Sequence, residues 1–169
     1  TDVSDAEWIA QLLQHGLLKG SVVPPPPIRE LRDLTRHRTT LIRDNTRVIN
    51  RIHTVLEDAH IKLTAGASDI MGVSGRAMLQ ALATGETDPQ RLAQVARHTL
   101  RKKIPPLEQA LRGHVRPPHR FLLQTLLAHV TFLEQQITQL DAAIAEAVAP
   151  FAREVALLKT IPGIKARAE

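Results

Sequence analysis

The chain has 169 residues, enough for one domain with a core of its own, and that core must be aliphatic: 43% of residues are hydrophobic, yet there are only three Phe, one Trp and no Tyr. The absence of cysteine excludes disulfide frameworks, thiolate metal sites and cysteine nucleophiles. No apolar run approaches the ~20 residues of a membrane span. The formal net charge of +5 suits a polyanionic partner without requiring one. With no signal peptide at its start, the chain is expected to be soluble and cytoplasmic. An aliphatic core favours helix-on-helix packing over a sandwich or barrel.

Residues 4–19 are predicted as a helix, with Trp8, Ile9, Leu12, Leu13 and Leu17 at helical spacing. Ser4 and Glu7 offer a capping box, Gly16 lies inside the stretch, and Gly20 is a good stop. Asp2 and Asp5 are three apart, so on a helix they share a face. Two carboxylates so placed can share a Mg²⁺ ion, the metal of phosphodiester chemistry. Capping and the helix dipole also favour acids in a first turn, and on spacing alone that is the more economical reading.

The segment Val22–Pro27, VVPPPP, cannot lie inside a helix and reads as an extended linker whose last proline can open the next helix. Residues 28–60 then run without Gly or Pro. Leu31, Arg38, Asn45 and Ile52 fall on one heptad position, and Leu34, Leu41, Val48 and Val55 on the position three later; Ile42, Ile49 and Leu56 widen the stripe. Asn45 either fixes the register of the seam or faces a local gap. On the opposite face, Arg29, Arg36 and Arg43 are seven apart, with Arg32 and Arg47 close by. Guanidinium groups suit phosphates, although a solvated face with pairs such as Arg29–Asp33 accounts for the same pattern. His53, Glu57 and His60 have ligand-like spacing, but such residues more often edge a seam.

Glycines and prolines chop residues 64–116 into short helices, which we read as a compact tip. Asp88-Pro89 is expected to start a helix over 89–98, and Pro105-Pro106 another, ended by Gly113. From Arg97 to Arg120 the chain carries Arg97, Arg101, Lys102, Lys103, Arg112, Arg116 and Arg120 against one acid, Glu108; this is a phosphate footprint or an ordinary exposed patch. Residues 118–148 give the cleanest pattern, with Leu123, Val130, Ile137 and Ile144 on one heptad position and Leu126, Leu133, Leu140 and Ala147 on the other. The fold class expected is therefore all-α, with two long helices forming an antiparallel coiled-coil hairpin around a short-helix tip; the same seams could instead close between chains. A short helix over 151–159 and a turn at Ile161-Pro162-Gly163-Ile164 finish the chain.

Taken together, the opening T-D-x-x-D-A-E-W, then VVPPPPIRELRDLTRHRTTLIRD, LEDAHIKL, VSGRAML and LLKTIPGI, resemble bacterial insertion-sequence transposases of the DEDD type, recombinases guided by an element-encoded RNA. The resemblance runs along essentially the whole chain. It implies that residues 1–20 are the last helix of a ribonuclease-H-like domain, and that Asp2 and Asp5 are the last two of its four Mg²⁺-binding, catalytic acids. It further implies a linker at 21–27, a helical region at 28–149 for assembly and nucleic-acid contact, and a transposase domain beginning within 150–169. The implied partners are DNA, the element-encoded RNA and further copies of the chain. The segments with the other two acids and the serine nucleophile are missing, and Ser4, Ser21, Ser68 and Ser74 do not match that nucleophile. The chain therefore reads as an interior piece, inactive in recombination and weak in Mg²⁺ binding by itself. A stand-alone helical nucleic-acid-binding module, or a dimerisation coil, is the alternative.

Overall fold

The computed structural model describes residues 2–18, 21–66 and 69–163, and every regular element among them is helical. Gly20, Ser68 and the end of the chain from Ile164 lie outside the described residues. No described helix is long and apolar enough to cross a membrane.

Helix α1 spans Asp2–Gln14, starting two residues and ending five residues earlier than expected. Ser4 therefore sits inside it and cannot cap it. Gly16 is the stop: its φ of +68° lets the Leu17 N–H donate to the Leu12 carbonyl at 3.0 Å. None of the side chains of α1 is buried.

Helix α2, Pro26–Asp58, begins as the proline run dictates. Pro25 is extended, and Pro26 and Pro27 occupy the first turn, where a missing N–H costs nothing. Its 33 residues rise to roughly 50 Å. The helix ends in a Schellman turn with His60 at φ +58°: the Ile61 N–H donates to the Leu56 carbonyl at 2.8 Å and Ile61 enters the core. His60 thus lies beyond the end of the helix that carries His53 and Glu57.

The tip contains α3 (Leu63–Gly66), α4 (Val73–Thr84), α5 (Pro89–Gln94), a 3-10 turn at His98–Lys103 and α6 (Ile104–Ala110). The expected Asp88 cap is present, its carboxylate accepting from the Gln90 N–H at 3.0 Å. Helix α5 stops four residues earlier than predicted, because Val95 and Ala96 close a tight final turn and Arg97 is extended. Ser74 holds that break to α4 by accepting from the Arg97 N–H at 2.8 Å. Helix α7, Pro117–Val148, is the second long element, with 32 residues. A 3-10 turn at Ala149–Phe151 and α8, Ala152–Lys159, follow.

Helix α2 packs against α7, and α4 packs against α7 as well. The core is off-centre. Val48, Ile52 and Leu56 of α2 meet Leu123, Val130 and Leu133 of α7 in one cluster with Met78, Leu79 and Leu82 of α4, Leu92 of α5 and Leu107 of α6. Each such side chain contributes about 2 kcal/mol by leaving water. In the other half, residues 26–47 and 134–148, no side chain is fully buried; Leu31, Leu34, Leu41, Ile137, Leu140 and Ile144 are half-covered.

A polar clasp joins the long helices at the tip. The buried His119 ring accepts from the Arg116 N–H at Nδ1 (3.3 Å), and its Nε2 is hydrogen-bonded to Asp58 Oδ2 at 2.7 Å and lies 3.0 Å from the Arg116 guanidinium. That hydrogen bond, opposed by desolvation and helped by the charge of Arg116, holds the Asp58 carboxyl below its ordinary 3.8. A carboxyl with a lowered folded value stabilises the fold above the unfolded value, and the contribution is lost as pH falls through the folded one. Between about pH 5 and pH 3 the wild-type chain is therefore expected to lose more stability than Asp58→Asn. Urea midpoints at the two pH values measure this; equal losses in the two proteins would contradict the role given to the clasp.

Candidate nucleic-acid interface

The predicted arginine row lies on α2. Arg29, Arg32, Arg36, Arg43 and Arg47 are all exposed, on the face turned away from Val48, Ile52 and Leu56. A seven-residue step along a helix is about 10.5 Å, so Arg29, Arg36 and Arg43 form an evenly spaced track. Arg47 is tied to Asp44 at 2.8 Å. Among the described residues, none of the other four is within ion-pairing distance of a carboxylate, and the expected Arg29–Asp33 pair does not form. Their charge therefore remains available to an external anion.

Beside this track a groove of about 880 Å³ opens between α2 and α7. Thr35, Arg36, Thr39 and Arg43 line one wall; Asp141, Ile144, Ala145 and Val148 line the other. Its floor is an ion pair that the sequence reading missed. Arg38 donates to Asp141 through Nε and, at 3.3 Å, through a terminal nitrogen to the other carboxylate oxygen. The hydrogen bond to Asp141 raises the Arg38 pKa further, against the opposing effect of burial. Arg38 interrupts the apolar seam, and that interruption was the available signal. Its meaning depended on Asp141, 103 residues away. Asn45, the next polar residue in the seam, has its side-chain oxygen buried without a hydrogen-bond partner among the described residues.

The second basic set divides. Arg101, Lys102 and Lys103 stand exposed together on the 3-10 turn, and Arg112 is exposed just beyond α6. Arg101 and Arg97 share a hollow of about 540 Å³ with Gln94, Val95 and Ala96. Arg116 belongs to the clasp instead, donating to Asp58 at 3.1 Å. Arg120 lies with its guanidinium over Gly85. Two separate basic surfaces result, the α2 track and the tip cluster.

Asp2 and Asp5 are exposed in the first turn of α1. No group of three or more His, Cys, Asp or Glu side chains among the described residues could hold a metal ion, and His53, Glu57 and His60 do not make one. Mg²⁺ takes near-octahedral oxygen coordination, so two carboxylates alone do not fit it as a cage.

Residues 1–61 match the family model DEDD_Tnp_IS110, described as Transposase. The match takes in α1 with Asp2 and Asp5, the proline segment, and α2 with its whole arginine track. It does not extend to the tip, to α7 or to the turn at Ile161. No curated protein and no solved structure matches the chain.

Proposed function

We propose that this chain is the central part of an insertion-sequence transposase, serving to hold nucleic acid and to assemble the recombining complex. The observation that carries the reading is the arginine track, four of whose five guanidiniums lack a carboxylate partner among the described residues, inside the segment that matches a transposase family. Residues 1–20 are then the closing helix of the nuclease domain and 21–27 its linker. Residues 28–149 form an antiparallel coiled-coil hairpin with the insert 64–116 as its tip. Residues 150–169 open the serine transposase domain at Ile161–Gly163. Asp2 and Asp5 contribute to Mg²⁺ binding only when the rest of the nuclease domain supplies the remaining oxygen ligands. DNA and the element-encoded RNA are the partners, and Arg29, Arg32, Arg36, Arg43 and Arg47, together with Arg101, Lys102, Lys103 and Arg112, contact their phosphates, while Arg116 is held in the clasp with Asp58. Further copies of the chain complete the complex.

Titration of fluorescent duplex DNA and a folded RNA with the chain tests the reading. Binding is expected at about 1–10 µM near 50 mM salt, falling by at least ~10-fold at 200 mM, as counterion release demands. Absence of binding to both polymers at low salt would overturn the nucleic-acid role. The coding sequence on either side tests the rest: an upstream strand carrying Asp and Glu and a downstream serine segment are expected.

A further inference from the structure

The groove between α2 and α7 carries its free positive charge at the edge and not inside. Arg36 and Arg43 line it, exposed and in no ion pair among the described residues. Three threonines of α2 beside them have spent their only hydroxyl proton on their own helix. Thr35 donates to the Arg32 carbonyl at 3.0 Å, Thr39 to that of Thr35 at 2.9 Å and Thr40 to that of Arg36 at 3.2 Å. What they offer a ligand is a methyl group and an oxygen that accepts. Asp141, with 45% of its side chain exposed, accepts as well, and Arg38 is already bound to it. Ile144, Ala145 and Val148 of α7 supply an aliphatic wall. A phosphodiester has oxygens that accept and no proton to donate, so it finds no partner in the interior and is confined to Arg36 and Arg43. The interior suits a flat, largely apolar body with N–H groups along its edge.

We propose that this groove holds a short unpaired stretch of a nucleic-acid strand in preference to a duplex, with phosphates on Arg36 and Arg43 and bases against Ile144 and Val148. The proposal rests on the nucleic-acid reading above and names the form of polymer that the groove takes. A base has apolar faces and donates from its edge. In a duplex the faces are stacked and the pairing donors are spent on the opposite strand; an unpaired base offers both. The spacing agrees. Arg36 and Arg43 stand about 10.5 Å apart along the helix axis. That is about three nucleotide steps of a stacked strand at roughly 3.4 Å each, and fewer of an extended one. The groove volume of about 880 Å³ is within the range of sites that enclose a small organic ligand. Positive charge flanking an apolar bed is the general plan of single-strand sites, with aliphatic side chains here in place of aromatic ones. An acidic helix would match the two arginines, but its carboxylates bring no donors to the threonine and Asp141 oxygens. A duplex still meets the arginine track from outside, through its phosphates.

Fluorescence anisotropy of the whole chain with a short mixed-sequence DNA strand that cannot pair with itself, and with the same strand in duplex form, tests it. Charge alone favours the duplex, whose phosphates are denser. The groove predicts the reverse: at about 100 mM salt the single strand should bind at least ~10-fold more tightly. Ala145→Leu narrows the groove at an exposed position with no change of charge and little change of helix propensity, so helix content by circular dichroism should hold. It should weaken single-strand binding by at least ~5-fold and leave duplex binding unchanged. A duplex that binds as tightly as the single strand overturns the proposal and leaves the wider nucleic-acid reading standing. So does an Ala145→Leu effect that is absent, or equal on the two forms. Polyglutamate that displaces the single strand as readily, charge for charge, would assign the groove to an acidic peptide and overturn it too. Failure to bind either form of DNA overturns the proposal together with the reading it rests on.

Discussion

Gly113→Ala is expected to lower the stability of the chain by about 2–3 kcal/mol, within the range of severe overpacking. A Cβ at residue 113 would stand 2.3 Å from the Ala59 carbonyl oxygen and 2.7 Å from Cγ1 of Ile61. Neither neighbour can give way cheaply. The Ala59 carbonyl accepts from the His114 N–H at 2.8 Å, and the Lys62 N–H donates to the Ala110 carbonyl at 2.9 Å. These bonds close the tip by joining the exit of α2 to the exit of α6. Ile61 is 2% exposed and cannot swing into solvent. Gly75 is a parallel case, with the Ile70 carbonyl oxygen 2.2 Å from the position of its Cβ. At Gly72 the nearest atom is a side-chain oxygen of Asp69 at 3.3 Å, which can rotate away, so Gly72→Ala should cost well under 1 kcal/mol. Urea unfolding checks the ranking: the midpoint should fall for residues 113 and 75 with little change in slope, and barely move for 72. Equal midpoints for Gly113→Ala and the wild type would mean that the tip is not closed by this backbone crossing.

Much of the helical layout was legible because it rests on local chemistry. Apolar heptad periodicity marked α2 and α7, and the last proline of the VVPPPP run marked where α2 starts. The misread boundaries have local causes of another kind. Gly16 was read as helix interior because a glycine at a stop and a glycine inside a helix look alike until the backbone turns. His60 fills a left-handed position usually given to glycine, so the end of α2 carried no mark. The proposed nucleic-acid surface was legible as a row of arginines on one face. Which charges are already used was not. Arg116 and its partner Asp58 are 58 residues apart, and Arg38 and Asp141 are 103 apart. Only the packing of α7 along α2 brings those pairs together.

The second large effect concerns the arginine track. Each phosphate contact that releases a counterion from duplex DNA contributes about 0.9 to the slope of log affinity against log salt concentration. Converting Arg29, Arg36 and Arg43 to Glu removes three such contacts and adds three repulsive charges. The slope should shrink by about 2.7, and affinity near 100 mM salt should fall by at least ~100-fold. Folding should be little affected, because these side chains are exposed on the face opposite the seam and are in no ion pair among the described residues. The tip cluster supplies a charge-matched comparison, since reversing Arg101, Lys102 and Lys103 changes the net charge by the same amount at a different place.

The measurement that bears most directly on the central claim is this salt series, run by fluorescence anisotropy on duplex DNA for the wild-type chain and for the Arg29, Arg36 and Arg43 to Glu variant. A track that holds the phosphate backbone predicts a wild-type slope steeper than the variant's by about 2.7, with helix content unchanged. Coincident slopes and affinities in the two proteins would contradict it and take the first long helix out of the interface.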